Sequence, residues 1–258
     1  MTAFIAAGGH RLEIERIAGR DHVPTLIFLH EGLGSVALWR DFPGKVAAAT
    51  GAPAVVYSRF GYGKSDPLRR DRAVDYMHGE ALSVLPELRR KLGLEDVVLF
   101  GHSDGASIAL IHAGAGQWPV RGLILEAPHV FVEDISIAGI TAAKRAFETG
   151  DLSRRLARYH TDCDGAFRGW NKIWLHPDFR AWNITAYLPG VHCPVLAIQG
   201  ADDEYGTLAQ LDAVARGVSG PTERLVLPRC GHAPHRDRPA ATLAAITRWW
   251  HNPVHNFV

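Results

Sequence analysis

One short stretch constrains the fold of this 258-residue chain more than any other. The apolar run Val97-Val98-Leu99-Phe100 stops at Gly101-His102-Ser103-Asp104-Gly105, and small and apolar residues occupy 106–114. The run reads as a strand buried on both faces, and the segment 106–114 as a helix. A serine between the two must occupy a sharp turn, and glycine on either side removes the Cβ atoms that would collide there. The turn lifts the Ser103 hydroxyl clear of its neighbours, as a nucleophile requires. The first amides of the helix have no intrahelical acceptor, so they and the positive dipole end point at any negative charge that develops beside the serine.

The rest of the chain repeats strand and helix in alternation. Residues 4–7 and 12–17, separated by Gly8-Gly9, read as an antiparallel hairpin at a sheet edge. Apolar strands are then expected at 25–29, 54–58, 97–100, 121–128, 194–199 and 223–227. Helices are expected at 36–49, 77–92 with a bend at Pro86, 106–114, 208–216 and 239–250. Such an order predicts an α/β fold: a mainly parallel eight-stranded sheet flanked by helices. Residues 129–190 break the rhythm. They are polar and aromatic, with Trp170, Trp174, Phe179 and Trp182, and read as an inserted helical cap on a core formed by 1–128 and 191–258.

Composition excludes several function classes. A net charge of +1 with 21% charged residues gives no basic field for nucleic acid, and Arg69-Arg70, Arg89-Arg90-Lys91 and Arg154-Arg155 read as solvated faces. No apolar run approaches the roughly 18 residues that a membrane span needs. The start Met1-Thr2-Ala3-Phe4 lacks a basic region followed by an apolar core, so a cytoplasmic location is expected. Cys163, Cys193 and Cys230 are odd in number and without Cys-x-x-Cys spacing, which supports neither a disulfide framework nor a zinc ribbon. His232, His235, His251 and His255 come without a His-Glu-x-x-His pattern, so no metal is expected.

A serine hydroxyl is a poor nucleophile at neutral pH, so it needs a base in hydrogen-bond reach and a carboxylate to orient that base. His232, in Gly231-His232-Ala233-Pro234 after the last strand, can be the base. The carboxylate can come from Asp202 or Asp203 in Gly200-Ala201-Asp202-Asp203-Glu204, which directly follows another strand. Parallel strands end at one edge of their sheet, which is where residues so distant in sequence can meet. Gly61 to Ser65 lacks phosphate-loop spacing and reads as a turn flanking the cleft.

Five pieces in order carry a family resemblance. They are His30-Glu31-Gly32, Gly61-Tyr62-Gly63-Lys64-Ser65-Asp66, Gly101-His102-Ser103-Asp104-Gly105, Gly200-Ala201-Asp202-Asp203 and Gly231-His232-Ala233-Pro234. Over essentially its whole length the chain resembles an α/β-hydrolase. The resemblance implies Ser103 as nucleophile, His232 as base, Asp203 as orienting acid and an oxyanion hole from the amides of Gly32 and Asp104. It also implies that His102 packs beneath the turn, away from the cleft. The chain departs from the common pattern at Glu31, where many members have glycine. There a carboxylate either caps a helix or fixes the loop by a hydrogen bond, or selects substrate. Lactonases that open zearalenone resemble the chain in this acidic residue, and they take their triad acid from the position of Glu126. Otherwise Glu126 is expected behind His232.

The function this implies is a cofactor-independent serine hydrolase of a small ester, lactone or thioester. Trp170, Trp174 and Trp182 are candidates for lining its pocket. Alternatives on the same fold are hydrolysis of a carbon–carbon bond in ring-cleavage diketones, or a non-enzymatic ligand-binding role. The only partner implied is a small acyl substrate. Monomer and homodimer are both compatible with the sequence.

Overall fold

The computed structural model describes residues 3–255 and 257. Met1 and Thr2, where the terminus was read for a leader, lie outside them. The elements run in the order β1 (Ala3–Ala7), β2 (His10–Ile17), β3 (Thr25–Leu29), α1 (Phe42–Thr50), β4 (Ala54–Tyr57), α2 (Tyr76–Gly79), α3 (Leu85–Leu92), β5 (Val97–His102) and α4 (Asp104–Gly114). Then come β6 (Gly122–Glu126), α5 (Asp134–Thr149), α6 (Leu152–Leu156), α7 (Cys163–Trp174), β7 (Val195–Gly200), α8 (Leu208–Gly217), β8 (Thr222–Leu227), α9 (Pro234–Asp237) and α10 (Pro239–Trp250). Eight strands form one sheet in the order β1-β2-β4-β3-β5-β6-β7-β8. β1 and β2 pair antiparallel, as do β2 and β4, and the remaining pairs are parallel.

The continuous apolar strands resolve into two faces by their period of two. Ile27, Leu29 and Leu99 enter the core cluster shared with α4, the 76–92 helix and the helical segment after β6. Leu26, Phe28, Val98 and Phe100 enter the opposite cluster, with Phe42 of α1 and Trp249 and Trp250 of α10. Between β6 and β7 the chain forms α5, α6, α7 and two 3-10 turns, Pro177–Ala181 and Thr185–Gly190. A single bridge, Phe131 to Asn183, joins the two ends of this segment.

Two helices differ from expectation. The expected helix over 36–49 is a 3-10 turn, Val36–Trp39, and then α1, separated at Arg40 with φ 55°. Pro43 has no N–H to continue the preceding turn, but it suits the first turn of a new helix. The second expected helix, over 77–92, has no break at Pro86. It widens to a π segment, Glu80–Val84, and Pro86 falls in the first turn of α3. The wider turn accommodates the missing donor and the bulk of the ring.

His112 of α4 ties these layers together. Its Nδ1–H donates to the Ala81 carbonyl at 2.7 Å and its Nε2 accepts from Arg89 at 2.8 Å. Burial, with the Arg89 charge acting the same way, pushes its pKa down to about 4. His129, just beyond β6, is likewise pushed down to about 4, by burial and by the neighbouring His232. In the unfolded chain both groups take up a proton near the ordinary value of 6.5. Between these values the unfolded state binds more protons, so stability falls as pH is lowered from 6.5 to 4. The slope should reach about 1.4 kcal/mol per pH unit for each group. Urea unfolding at several pH values across that window measures it, and His112→Gln should remove one group's share. A stability independent of pH there would contradict this account.

Candidate active site

The serine turn has the geometry its sequence demands. Ser103 sits at φ 54°, ψ −116°, and its amide donates to the Glu126 carbonyl at 2.9 Å. A Cβ at Gly105 would overlap the Leu29 carbonyl, and one at Gly101 would overlap the backbone of Gly105 and Ala106. Any side chain at either position would push the turn off β3 or off its own helix. The Asp104 amide, at the first position of α4, has no intrahelical acceptor and points out of the helix start beside the serine.

Three strand ends deliver three side chains to this point. Ser103 Oγ lies 2.9 Å from His232 Nε2, and His232 Nδ1 lies 2.8 Å from Asp203 Oδ1. Asp203 comes just after β7 and is held by the amides of Tyr205 at 2.9 Å and Gly206 at 3.3 Å, with Gln199 Nε2 at 3.3 Å from its other oxygen. Burial opposes its ionisation, but the charge and hydrogen bond of His232 and the Tyr205 amide outweigh this and hold its carboxyl below the usual range. With Asp203 ionised, Nδ1 of His232 carries the hydrogen and Nε2 is free to accept the serine proton.

Glu126 is placed elsewhere than behind His232. Its Oε2 accepts from His235 Nδ1 at 2.6 Å. The two acids serve two histidines, because α9 places His235 against the face of the sheet that carries Glu126. His102 is packed, as expected, but it is not turned away from the cleft. It is in register with Glu126, buried, and its Nε2 reaches the His232 carbonyl at 2.7 Å, so it braces the histidine loop and borders the cleft. His102, Glu126 and His235 offer ligand-type atoms within 4.8 Å of one another, the one such group among the described residues. Glu126 and His235 already engage each other in the hydrogen bond just given.

The loop after β3 is fixed from below. Arg59, fully buried, donates to the carbonyls of His30 at 3.3 Å and Glu31 at 2.9 Å and to Asp104 Oδ2 at 3.4 Å. Asp104 also accepts from Tyr76 at 2.6 Å and from Trp174 Nε1 at 3.3 Å. One carboxylate thus joins the helix start, the β3 loop and α7. Glu31 does not cap a helix. Its carboxylate faces His102 Nδ1 at 3.4 Å. Burial raises its pKa, but the close contact with His102 and the charge of Arg236 outweigh it and hold the Glu31 carboxyl well below the usual range.

Above Ser103 lies a cavity of about 480 Å³, bordered by Glu31, Gly32, His232, Trp170 and Trp174 among others. Trp182 is not on its wall. It stacks on Phe179, centroids 5.4 Å apart, inside the helical segment. A Cβ on Gly32 would strike the Trp170 indole, so the loop and α7 approach each other only because that residue is glycine. His129, Tyr205, Arg40, Arg155, Arg158 and Arg236 also border the cavity, and sequence reasoning missed them. No motif marks them. Tyr205 alone carried a local signal, two residues beyond Asp203 in the same loop.

The alpha/beta hydrolase family model matches residues 26–246. A proline iminopeptidase of Levilactobacillus brevis is 25% identical, covering 91% of each chain. The human serine hydrolase BPHL is 24% identical over 85% of this chain and 76% of its own. Among solved structures, the enol-lactonase from Burkholderia xenovorans LB400 superposes with a TM-score of 0.74 at 17% identity, over 97% of this chain and 100% of that one. With the family model spanning the sheet from β3 to α10, the chain belongs to the alpha/beta hydrolase family.

Proposed function

We propose that this protein is a serine hydrolase that transfers the acyl group of a small ester, lactone or thioester to water. The observation that carries the reading is the unbroken hydrogen-bonded chain Asp203–His232–Ser103 at the floor of the cavity. Ser103 Oγ attacks the carbonyl carbon while His232 Nε2 takes its proton, and ionised Asp203 stabilises the imidazolium that forms. The oxyanion is received by the amides of Asp104 and Gly32. Arg59 keeps these two amides in a constant relation, since it grips the Asp104 carboxylate and the carbonyls of His30 and Glu31. His232 then gives its proton to the leaving group, leaving an acyl-Ser103 ester. A water deprotonated by the same nitrogen hydrolyses this ester, and the returning proton restores Ser103. Beyond the acyl compound, the proposed cycle draws on these side chains, the two backbone amides and water.

The relatives support acyl transfer to water as the shared chemistry, since their names span a peptidase, a serine hydrolase and an enol-lactonase. A fluorophosphonate probe should label the protein, and Ser103→Ala should abolish labelling. The same variant should lower turnover of p-nitrophenyl esters, aryl thioesters or lactones by about 10⁴-fold or more. A protein that neither reacts with the probe nor turns over any acyl compound would refute the proposal.

The two acids separate by kinetics. Asp203→Asn should lower kcat by about 10³ to 10⁴, because it reverses the His232 hydrogen-bond preference. Glu126→Gln touches His235 instead and should cost less than about tenfold, mainly through the packing of α9. The opposite ranking would move the acid's role to Glu126.

A further inference from the structure

Lysine and arginine nearly balance aspartate and glutamate over the whole chain, 28 against 27. Around the cavity the balance is lost. Arg40, Arg155, Arg158 and Arg236 border it, and Glu31 is the one carboxylate among the bordering residues. These arginines come from three separate stretches: the turn before α1, the end of α6 and its following turn, and α9. All four are solvent-exposed residues, so they form the rim, while Trp170, Trp174, Ile140 and Leu156 supply buried apolar wall.

The single acid does not neutralise this rim. Glu31 is turned to His102, 3.4 Å away, and that histidine is held toward its charged form by the same contact despite its burial. One carboxylate held in that contact does not offset four guanidinium groups. Arg155 has Asp151 at 3.5 Å, but Arg40, Arg158 and Arg236 have no carboxylate within 4.0 Å among the described residues. The nearby Glu204 carboxylate is engaged by the His232 amide at 3.2 Å. Arg40 also sits at φ 55°, a backbone region costly for a residue with a side chain, and this turn delivers it to the cavity.

We infer that the cavity recognises an acyl compound bearing an oxyanionic substituent, which Arg40, Arg158 and Arg236 bind at the rim. Its apolar part lies against Trp170 and Trp174 and its reactive carbonyl faces Ser103. Guanidinium groups offer paired N–H donors that match the two oxygens of a carboxylate or phosphate. A long-range attraction to the rim also draws such a compound from solution, and added salt weakens it. This inference deepens the hydrolase reading and rests on it for the role of Ser103, but the binding it describes needs no turnover.

The test is a titration of Ser103→Ala protein followed by the fluorescence of the cavity tryptophans. The probes are adipate, hexyl phosphate and the neutral adipamide. At low salt at least one oxyanion should bind at least tenfold more tightly than adipamide. Adipate as the tighter ligand identifies a carboxylate substrate, and hexyl phosphate a phosphorylated one. The preference should shrink in 0.5 M salt and vanish when Arg40→Glu, Arg158→Glu and Arg236→Glu are combined. Arg248→Glu, an exposed charge reversal on α10, should retain it. Should the triple reversal disturb folding, as judged by its melting curve, the three Arg→Gln changes serve in its place. Equal or weaker binding of both oxyanions than of adipamide overturns the inference, as does a preference that survives the triple variant. Fluorophosphonate labelling of the wild type reports separately on the hydrolase reading, so each can fail without the other.

Discussion

The buried contact between Arg59 and Asp104 is the interaction on which the site's geometry depends. Two charges have been taken out of water, and each is compensated by the other and by neutral donors and acceptors around them: Tyr76, Trp174 and the carbonyls of His30 and Glu31. Burying such a pair contributes little net stability, but removing one partner leaves a charge stranded and costs about 3–5 kcal/mol. What the pair secures is position. The helix start beside Ser103, the loop after β3 and the helix α7 over the cavity all converge on one carboxylate. A shift of any of them breaks a hydrogen bond in a place that water does not reach.

Next to this network two histidine–carboxylate pairs lie side by side, and their surroundings separate their roles. His232 with Asp203 opens on the cavity and on Ser103 Oγ. His235 with Glu126 is closed in by Trp39 and Phe42 and reaches no nucleophile. His102 stands between them, with a hydrogen bond to the His232 carbonyl and its other nitrogen toward Glu31. Closely packed titratable groups of this kind form a polar floor under the cleft, and the cavity above it combines aromatic walls with a cationic rim.

Much of this could be read in the sequence because it is local. The glycines around Ser103, the apolar runs of the sheet and the order of the five motif pieces act over a few residues or through the topology they impose. The helices at 36–49 and 77–92 were legible as helices but not in detail. A proline tells where a donor is missing, while the neighbours decide whether the chain breaks, as before Pro43, or widens into a π turn, as before Pro86. The partner of Glu126 was not legible at all. It depends on where α9 docks against the sheet, which no spacing encodes, and Trp182 likewise turned inward because Phe179 offered it a stacking face.

By itself the sequence determined the alternating α/β order, the sharp turn at Ser103 and the placing of a serine, an acidic residue and a histidine just after β5, β7 and β8. Each of these comes from steric or periodic rules that operate along the chain. Only the tertiary structure decided which acid faces which histidine, that His102 borders the cleft, and that four arginines from three stretches gather around one cavity. Those are contacts between segments far apart in sequence. They are fixed by how the layers pack and by the need of every buried charge for a partner, and neither condition can be evaluated until the chain is folded.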